Sequence, residues 1–438
     1  MSKQRIHRVL LDKTKESGPL WLEEYRRIGG YEALTKVLTQ MKPPDVIAEI
    51  QKAELRGRGG AGYPTWKKWE MVAKSYTTTR YLCANAGEHE PGTFKDRHLI
   101  QRNPHLLIEG ALIAAYAIGA HEAYLYVNGS FHEEMEIVKK AMAEAKIEGY
   151  WGENILGTGV NINLKFSPGS GSYVAGEETG MLEVIEGREA KPRQKPPYYP
   201  SYMGLYKKPT VVNNTETLAN VPLIIRNGAD WYRGIGTEKS FGTMLFSLSG
   251  DVNRPGVYEL PFGTPLRTLI EKYGDGVKNG RSVKAVLPGG PSNGFVTEQN
   301  LDVSLNFDSL KAIGSGIGSG GVIVYSDRAC MVRTLLEFEQ FFARESCGQC
   351  PPCQLGTQNL ATILQRFEEG KGVLDDITYI AQLCGIVKGR GYCYLVTGAA
   401  VLLESSLKHF RHEYEAHIRG KGCPYPASTG VSHADHLS

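Results

Sequence analysis

No long apolar run appears anywhere in the 438 residues. The most hydrophobic stretches, Gly110 to Ala120 and Tyr392 to Leu403, fall well short of the ~18–20 apolar residues that a bilayer span needs, so no transmembrane helix is expected. An excess of one charge is missing too: 50 Lys and Arg stand against 47 Asp and Glu, a formal net charge of +3. A nucleic-acid binder carries a dense basic stripe. Here the short run Lys207–Lys208 reads as a solvated loop, and no nucleic-acid partner is predicted. The N-terminus has no apolar core of the secretory kind, being charged throughout Met1 to Glu16. These absences predict a soluble cytoplasmic chain, and they leave room for docking onto a membrane complex through other subunits. No internal repeat is visible.

Eight cysteines are present, and five of them fall between Cys347 and Cys393. In a long chain with no secretory leader, such clustering argues for metal or cluster ligation in a reducing compartment rather than for a disulfide scaffold. The run Cys347–Gly348–Gln349–Cys350–Pro351–Pro352–Cys353 is the sharpest signal. Its C-x2-C-x2-C spacing lets three thiolates converge on one compact loop, as an iron–sulfur cubane requires, with a fourth from elsewhere. A zinc site would more typically show two separated C-x2-C pairs. Cys393 and Cys384 compete for the fourth place. Cys393 is preferred because the turn Lys388–Gly389–Arg390–Gly391 can aim it back at the loop, whereas Cys384 sits in a helical pattern with Ile380, Leu383 and Val387. Cys83 and Cys330 read as small buried apolar residues, and Cys423 as a free thiol.

Strand and helix patterns alternate over the first half. Asp45 to Leu55 has helical spacing and stops at the glycine-dense Arg56 to Gly62. Arg80 to Ala84, Ala123 to Val127 and Val160 to Phe166 read as strands. Asn103–Pro104 opens a helix running to Ile118, Phe131 to Ile147 is an amphipathic helix, and Gly176 to Gly187 is another. Repeated strand–helix units predict an α/β domain with a parallel sheet. Near residue 240 the pattern shifts to short strands, Met244 to Gly250, Gly256 to Glu259 and Lys284 to Leu287, around one helix over Thr264 to Tyr273. From Cys330 to Arg419 only helices are expected. The predicted domains are therefore 1–240, 241–328 and 329–420, with a disordered tail over 421–438.

Several polar loops fall where a ligand could sit. Arg56 to Gly62 matches G-x-G-x-x-G at Gly57, Gly59 and Gly62, but a helix precedes it, not the strand a dinucleotide fingerprint requires. It can still cradle an anion or a flat ring, with Arg58 and Lys68 supplying charge. Gly169 to Gly176 leads from a strand into Glu177 and Glu178 at a helix start; carboxylates there suit hydroxyls or ring N–H groups better than phosphate. Asn85 to Gly92, with Glu88 and Glu90, follows a strand directly, the usual ligand edge of a parallel sheet. Asn213, Asn214 and Thr217 bring amide and hydroxyl groups to the start of a further helix, where a ligand could meet them, with helix capping as the alternative.

Taken together, AELRGRGGAGYPTWKKW, EPGTFKDR, YVAGEETG, KPPYYP, VVNNTETLANVP, SGDVNRPGVYELP and ARESCGQCPPC resemble, in order and over most of the chain, the flavin-carrying F-type subunits of bacterial NADH:quinone oxidoreductase, respiratory complex I. The resemblance implies an α/β FMN domain, a β-grasp module of the soluble-ligand-binding type and a helical bundle with a [4Fe-4S] cluster. It implies FMN contacts at Gly57, Arg58, Gly59, Gly60, Lys68, Asn85, Glu88, Gly176, Glu177, Glu178, Asn213, Asn214 and Thr217. It implies NADH contacts at Tyr63, Glu90, Lys195 and Tyr198, with Glu90 and Glu178 positioning the dinucleotide, and cluster ligands at Cys347, Cys350, Cys353 and Cys393. No catalytic acid or base is implied, because hydride transfer from NADH is flavin chemistry. Single electrons would then pass to the cluster and towards quinone through a thioredoxin-like [2Fe-2S] subunit and a large multi-cluster iron–sulfur subunit, peripheral to the inner membrane. The chain departs from the family pattern at Gly87, where Asp is usual, at Tyr63 and Tyr198, where Phe is usual, at Trp66, where Gly is usual, and at Ala175, where Cys is usual. Two other readings stand beside this one: the diaphorase subunit of a soluble NAD-linked hydrogenase or formate dehydrogenase, and a structural subunit without flavin.

Overall fold

Burial on both faces selects apolar strands, and three such runs, with a more exposed fourth at the edge, build the first sheet of the computed structural model, which describes residues 8–425. These are β1 (Tyr81–Ala86), β2 (Glu122–Val127), β3 (Asn163–Pro168) and β4 (Thr210–Asn214). All are parallel, in the order β3-β2-β1-β4. The helix Pro104–Ile118 packs on this sheet. It starts where the Asn103 side chain accepts from the Leu106 N–H (3.3 Å) and ends at Gly119, whose φ of +70° is left-handed. Nearly every side chain between is buried, and Gly110 lets the helix Thr215–Asn227 approach so closely that a Cβ there would lie 2.1 Å from the Leu218 carbonyl oxygen. The N-terminal arm forms short helices at Leu22–Arg27 and Glu32–Gln40.

A two-residue hairpin, β5 (Gly236–Thr237) with β6 (Ser240–Phe241), follows. The second sheet is mixed: β7 (Thr243–Gly250), β8 (Gly256–Pro261), β9 (Val283–Leu287), β10 (Val296–Thr297) and β11 (Gly321–Ser326), in the order β10-β9-β11-β7-β8. β11 runs parallel to β7 and antiparallel to β9, giving the small α+β module of β-grasp type. Where one helix was expected over Thr264 to Tyr273, a single α turn (Leu266–Thr268) passes into a π turn (Leu269–Tyr273). Among the described residues, four helices complete the chain: Met331–Glu345, Pro351–Glu368, Leu374–Val387 and Leu395–Gly420. They pack on one another as a bundle.

The described chain divides into two units. One comprises residues 8–88, Phe94–Leu245 and Glu259–Gly263; the other comprises His89–Thr93, Phe246–Tyr258 and 264–425. The expectation of disorder over 421–438 falls on described residues only as far as Tyr425, and 426–438 lie outside them.

Candidate functional site

All four strands of the parallel sheet end on one edge, and the polar loops of the first unit gather there. The loop after the helix Pro43–Ala53 closes on itself: Gly57 N–H donates to the Tyr63 carbonyl and the Arg56 Nε to the Gly62 carbonyl, both at 2.9 Å. It is seated on the end of β4, since Arg58 N–H donates to Thr217 Oγ1 (2.8 Å) and a Cβ on Gly59 would lie 3.1 Å from Asn214 Cβ. Gly60, at φ +126°, is open, with no atom within 4 Å of where a Cβ would be. The loop therefore offers backbone to a ligand on one side while the other is pinned.

Arg58 needs a correction. Its guanidinium does not supply charge to the loop but turns inward, 1% exposed. It donates to the Arg56 carbonyl (2.7 Å), Tyr232 Oη (2.8 Å) and the Phe241 and Thr243 carbonyls (3.2 and 3.1 Å), and lies 4.5 Å from the Phe262 ring centroid. A planar fork with several donors suits such a set of fixed carbonyls. Arg58 anchors the loop; only its backbone is left to face a ligand.

Opposite, the 3-10 turn Tyr173–Gly176 leads to Glu177, which caps the helix Glu178–Ile185 by accepting from Thr179 and Gly180 N–H (2.7 and 3.0 Å). Lys195 Nζ bridges Glu177 (2.6 Å) and Glu178 (3.1 Å), and Lys68 Nζ reaches Glu178 (3.0 Å). Charges of alternating sign thus run Lys68–Glu178–Lys195–Glu177. Burial opposes ionisation of Glu178, but Lys68 and Lys195 outweigh it and lower the carboxyl to about 2. Burial likewise disfavours the Lys195 charge, and the two glutamates raise its pKa regardless. Both lysines, expected to serve as cofactor or phosphate contacts, are held here by carboxylates.

The ends of β1 and β4 complete the rim. Asn85 Nδ2 donates to the Gly176 carbonyl (2.9 Å) and its Oδ1 accepts from Gly87 N–H (2.8 Å), so one side chain ties two loops. Asn213 accepts from Trp69 Nε1 (2.7 Å). Asn214 caps the helix Thr215–Asn227 and donates to Asp96 (2.6 Å). Glu88 accepts from the Asp96 and Arg97 N–H groups (2.9 and 3.1 Å), and its pKa is raised, chiefly by burial and then by Asp96. Tyr63 and Tyr198 are each 43% exposed. Glu90 belongs to the second unit, where it accepts from Ser292 N–H (3.0 Å).

One layer is not visible in the sequence. Lys95 is fully buried between Asp96 and Glu216, at 2.8 Å from each. Asp96 in turn holds both Asn214 and Glu88. The EPGTFKDR run carries Lys95 and Asp96, but a Lys–Asp pair in a loop gives no sign that it will be buried.

In the second unit the cysteine loop links two bundle helices. Gly348 takes φ +76° between Cys347 and Cys350. Cys350 and Cys353 are buried, Cys347 and Cys393 partly so. Sulfur acceptors are met by donors: Gln349 Nε2 reaches Cys347 Sγ (3.4 Å) and Tyr392 N–H reaches Cys350 Sγ (3.4 Å). That last bond brings the 391–393 turn to the loop. Cys384 instead faces the bundle interior, with 0% exposure. Burial pushes the Cys353 thiol up to about 11, with Cys350 and Cys347 adding to the effect. Crowded thiols of this kind need a metal's positive charge to be held as thiolates, and the donor set fits a cubane.

The α/β unit thus offers a glycine-loop site and the helical bundle a thiol loop, the two kinds of site that a flavin and an iron–sulfur cluster use. Residues 50–223 match the family profile of the Nuo51 FMN-binding domain, 245–296 that of the SLBB domain, and 333–417 that of the NADH-ubiquinone oxidoreductase-F iron-sulfur binding region. The second NADH-quinone oxidoreductase F subunit of Rhizobium meliloti is 47% identical over 404 residues, 92% of this chain and 96% of that protein. The corresponding F subunit of Streptomyces coelicolor is 44% identical, covering 94% and 92%, and that of Escherichia coli is 43% identical, covering 92% and 90%. The crystal structure of an NAD+-reducing [NiFe]-hydrogenase in the H2-reduced state superposes with a TM-score of 0.80 at 33% identity, covering 92% of this chain and 67% of that one. The chain belongs to the family of NADH-quinone oxidoreductase F subunits, with FMN and a [4Fe-4S] cluster as its cofactors.

Proposed function

We propose that the chain is the electron-entry subunit of a respiratory NADH:quinone oxidoreductase, an FMN-dependent NADH dehydrogenase. The observation that carries this is the convergence of the pinned glycine loop, the Asn85–Gly176 tie and the Lys68–Glu178–Lys195–Glu177 chain on the ligand edge of one parallel sheet. When bound, FMN supplies a hydride acceptor that releases electrons singly, and the [4Fe-4S] cluster supplies a one-electron acceptor.

The protein's part is positioning. Backbone at Gly57, Arg58, Gly59 and Gly60 cradles the flavin nucleotide, and Thr217 holds that backbone from beneath. Asn85, Glu88, Gly176, Asn213 and Asn214 fix the rim on which the ring rests. Tyr63 and Tyr198 close over the dinucleotide and exclude water from the hydride path. Lys195 exchanges a carboxylate for a phosphate of NADH, leaving Glu177 and Glu178 to orient hydroxyl and amide groups. No side chain is required to move a proton in the hydride step. Cys347, Cys350, Cys353 and Cys393 hold the cluster. Residues 1–240 form the flavin domain, 241–328 the β-grasp module and 329–420 the cluster bundle.

Onward electron flow requires partners: a thioredoxin-like [2Fe-2S] subunit and a large multi-cluster subunit, with the assembly on the cytoplasmic face of the inner membrane. Among the described residues no helix is long and apolar enough to cross a membrane, so membrane attachment would run through those partners. The likeness to the NAD+-reducing hydrogenase favours a second reading, a diaphorase subunit in a soluble assembly. Purification of the tagged chain from its native cell distinguishes them. Quinone-reducing membrane subunits with FMN in the complex are expected. A soluble hydrogenase or formate dehydrogenase subunit would establish the second reading, and a complex without flavin would overturn both.

A further inference from the structure

Helix direction separates the bundle into two chemically distinct ends. Met331–Glu345 runs from Cys330 to the cysteine loop, and Pro351–Glu368 runs back from that loop to Glu368. Leu395–Gly420 likewise starts just after Cys393 and ends beyond His417. The thiols of the proposed cluster therefore mark one end. At the other end, about 22 Å away along a 15-residue helix at ~1.5 Å per residue, lie Cys330, Glu368, His417 and Cys423.

The donor atoms of these four side chains all fall within 4.8 Å of one another. His417 Nε2 is 3.1 Å from Glu368 Oε1 and 3.4 Å from Cys330 Sγ, and Cys330 Sγ is 3.9 Å from Glu368 Oε1. A tetrahedral zinc ion with bonds of about 2.0 Å to N or O and 2.3 Å to S has ligand–ligand edges of about 3.3–3.8 Å. The observed separations bracket those edges.

The surroundings suit a metal. His417 Nδ1 lies 2.7 Å from the Glu413 carbonyl oxygen, which can only accept, so Nδ1 carries a proton and Nε2 is the nitrogen whose lone pair a metal would meet. That lone pair faces a carboxylate oxygen and a sulfur. A proton on Nε2 would serve the carboxylate alone; a divalent cation draws on all four donors at once. Arg333 Nε holds the outer oxygen of Glu368 (3.2 Å), and Arg333 N–H donates to Cys330 Sγ (3.4 Å). Two thiolates, a carboxylate and Zn2+ sum to one negative charge, which Arg333 neutralises. Local backbone delivers the last ligand: Lys421 adopts φ +50° and Gly422 N–H returns to the His417 carbonyl (3.0 Å), folding Cys423 back under the helix end.

From this geometry we infer a structural zinc site formed by Cys330, Glu368, His417 and Cys423. Two thiolates and an imidazole select a borderline-soft ion over magnesium or calcium, and four protein donors leave no open position for catalysis. The ion ties the beginning of the bundle to its end and is not a redox partner of the cluster.

The test uses the purified complex, equilibrated with Zn2+, desalted, and measured by elemental analysis and zinc-edge X-ray absorption. One zinc per chain is expected, with two sulfurs at about 2.3 Å and two lighter atoms at about 2.0 Å. Cys423→Ser and Glu368→Gln should each weaken zinc binding at least tenfold while iron content stays unchanged. Failure of the wild-type protein to retain zinc overturns the inference. So does undiminished zinc in both variants, a four-sulfur shell placing zinc in the Cys347 loop, or a Cys330–Cys423 disulfide in the native protein. The zinc readout does not depend on the flavin or the cluster.

Discussion

The flavin edge and the cysteine loop reach their function by opposite routes. At the flavin edge nearly every polar side chain is tied to another segment: Asn85 to Gly176, Asn213 to Trp69, Asn214 to Asp96, Arg58 to four acceptors. Its shape is held by bonds within the protein, and charge is balanced internally by Lys68, Lys195 and two glutamates. The cysteine loop has little of this. Its sulfurs receive isolated donors at 3.4 Å, and its crowded thiols depend on a metal's charge to be held as thiolates. One region is preorganised by hydrogen bonds, the other by its cofactor, so removal of the cofactor should disturb the second far more than the first.

The largest effect should follow from the cysteine loop. Cys350→Ala is expected to abolish the [4Fe-4S] EPR signal and quinone reduction, while NADH still bleaches the flavin in the first unit. Loss of flavin bleaching as well would mean that the two regions are not independent. Arg58→Ala should come next. Truncation strands three carbonyls and a phenol in the interior, at a cost of about 3 kcal/mol. A lower Tm and loss of FMN are predicted in calorimetry and flavin assays. Arg58→Lys should rescue little, because an ammonium cannot span the same acceptors; full rescue would point to charge alone.

The contrast also accounts for what is legible in the sequence. Ligation by the cysteine loop is local, and its C-x2-C-x2-C spacing is explicit in the residues. The helix from Asn103 to Ile118 is equally plain, since its cap, its proline and its terminal glycine are all local signals. The flavin edge draws on loops near residues 58, 86, 176 and 214, and only the family resemblance brings them together. Five strands among the described residues are not anticipated in the sequence: three are two-residue pieces, Gly236–Thr237, Ser240–Phe241 and Val296–Thr297, and the longer two, Thr210–Asn214 and Gly321–Ser326, are buried along almost their whole length and so do not alternate. The inward turn of Arg58 is hidden as well: its acceptors at Tyr232, Phe241 and Thr243 lie 174 to 185 residues away in the chain. Separation in sequence likewise parts Cys330 from His417 and Cys423, which is why Cys330 reads as a buried apolar residue and Cys423 as a free thiol.

Smaller effects sharpen the view of the preorganised edge. Glu178→Gln should raise KM for NADH about tenfold with little change in kcat, as expected for a group that orients the ground state and transition state alike. The Glu178 carboxyl is depressed from 4.5 to about 2. Its stabilising contribution is therefore present above the unfolded value and lost only as pH falls towards 2. Between pH 5 and 8 the variant and the wild type should show parallel KM profiles; a wild-type inflection in that range that the variant lacks would contradict the assignment. Gly87→Asp should lower the flavin midpoint by roughly 30 mV, or ~1.4 kcal/mol for a two-electron couple, because a carboxylate disfavours the more anionic reduced flavin. A Cβ there would sit 2.9 Å from both Asn85 Oδ1 and Tyr126 Cε1, so a local shift must accompany it. An unchanged or raised midpoint would rule out charge at residue 87 as the tuning element.

The most direct measurement is an anaerobic titration of the purified complex with NADH, followed together by visible absorption and EPR, for the wild type and for Cys393→Ser. The wild type should bleach its flavin and develop a [4Fe-4S] signal, while the variant bleaches without that signal. A protein whose spectrum does not respond to NADH would contradict electron entry through this chain. A cluster signal that survives in the variant would contradict Cys393 as the fourth ligand.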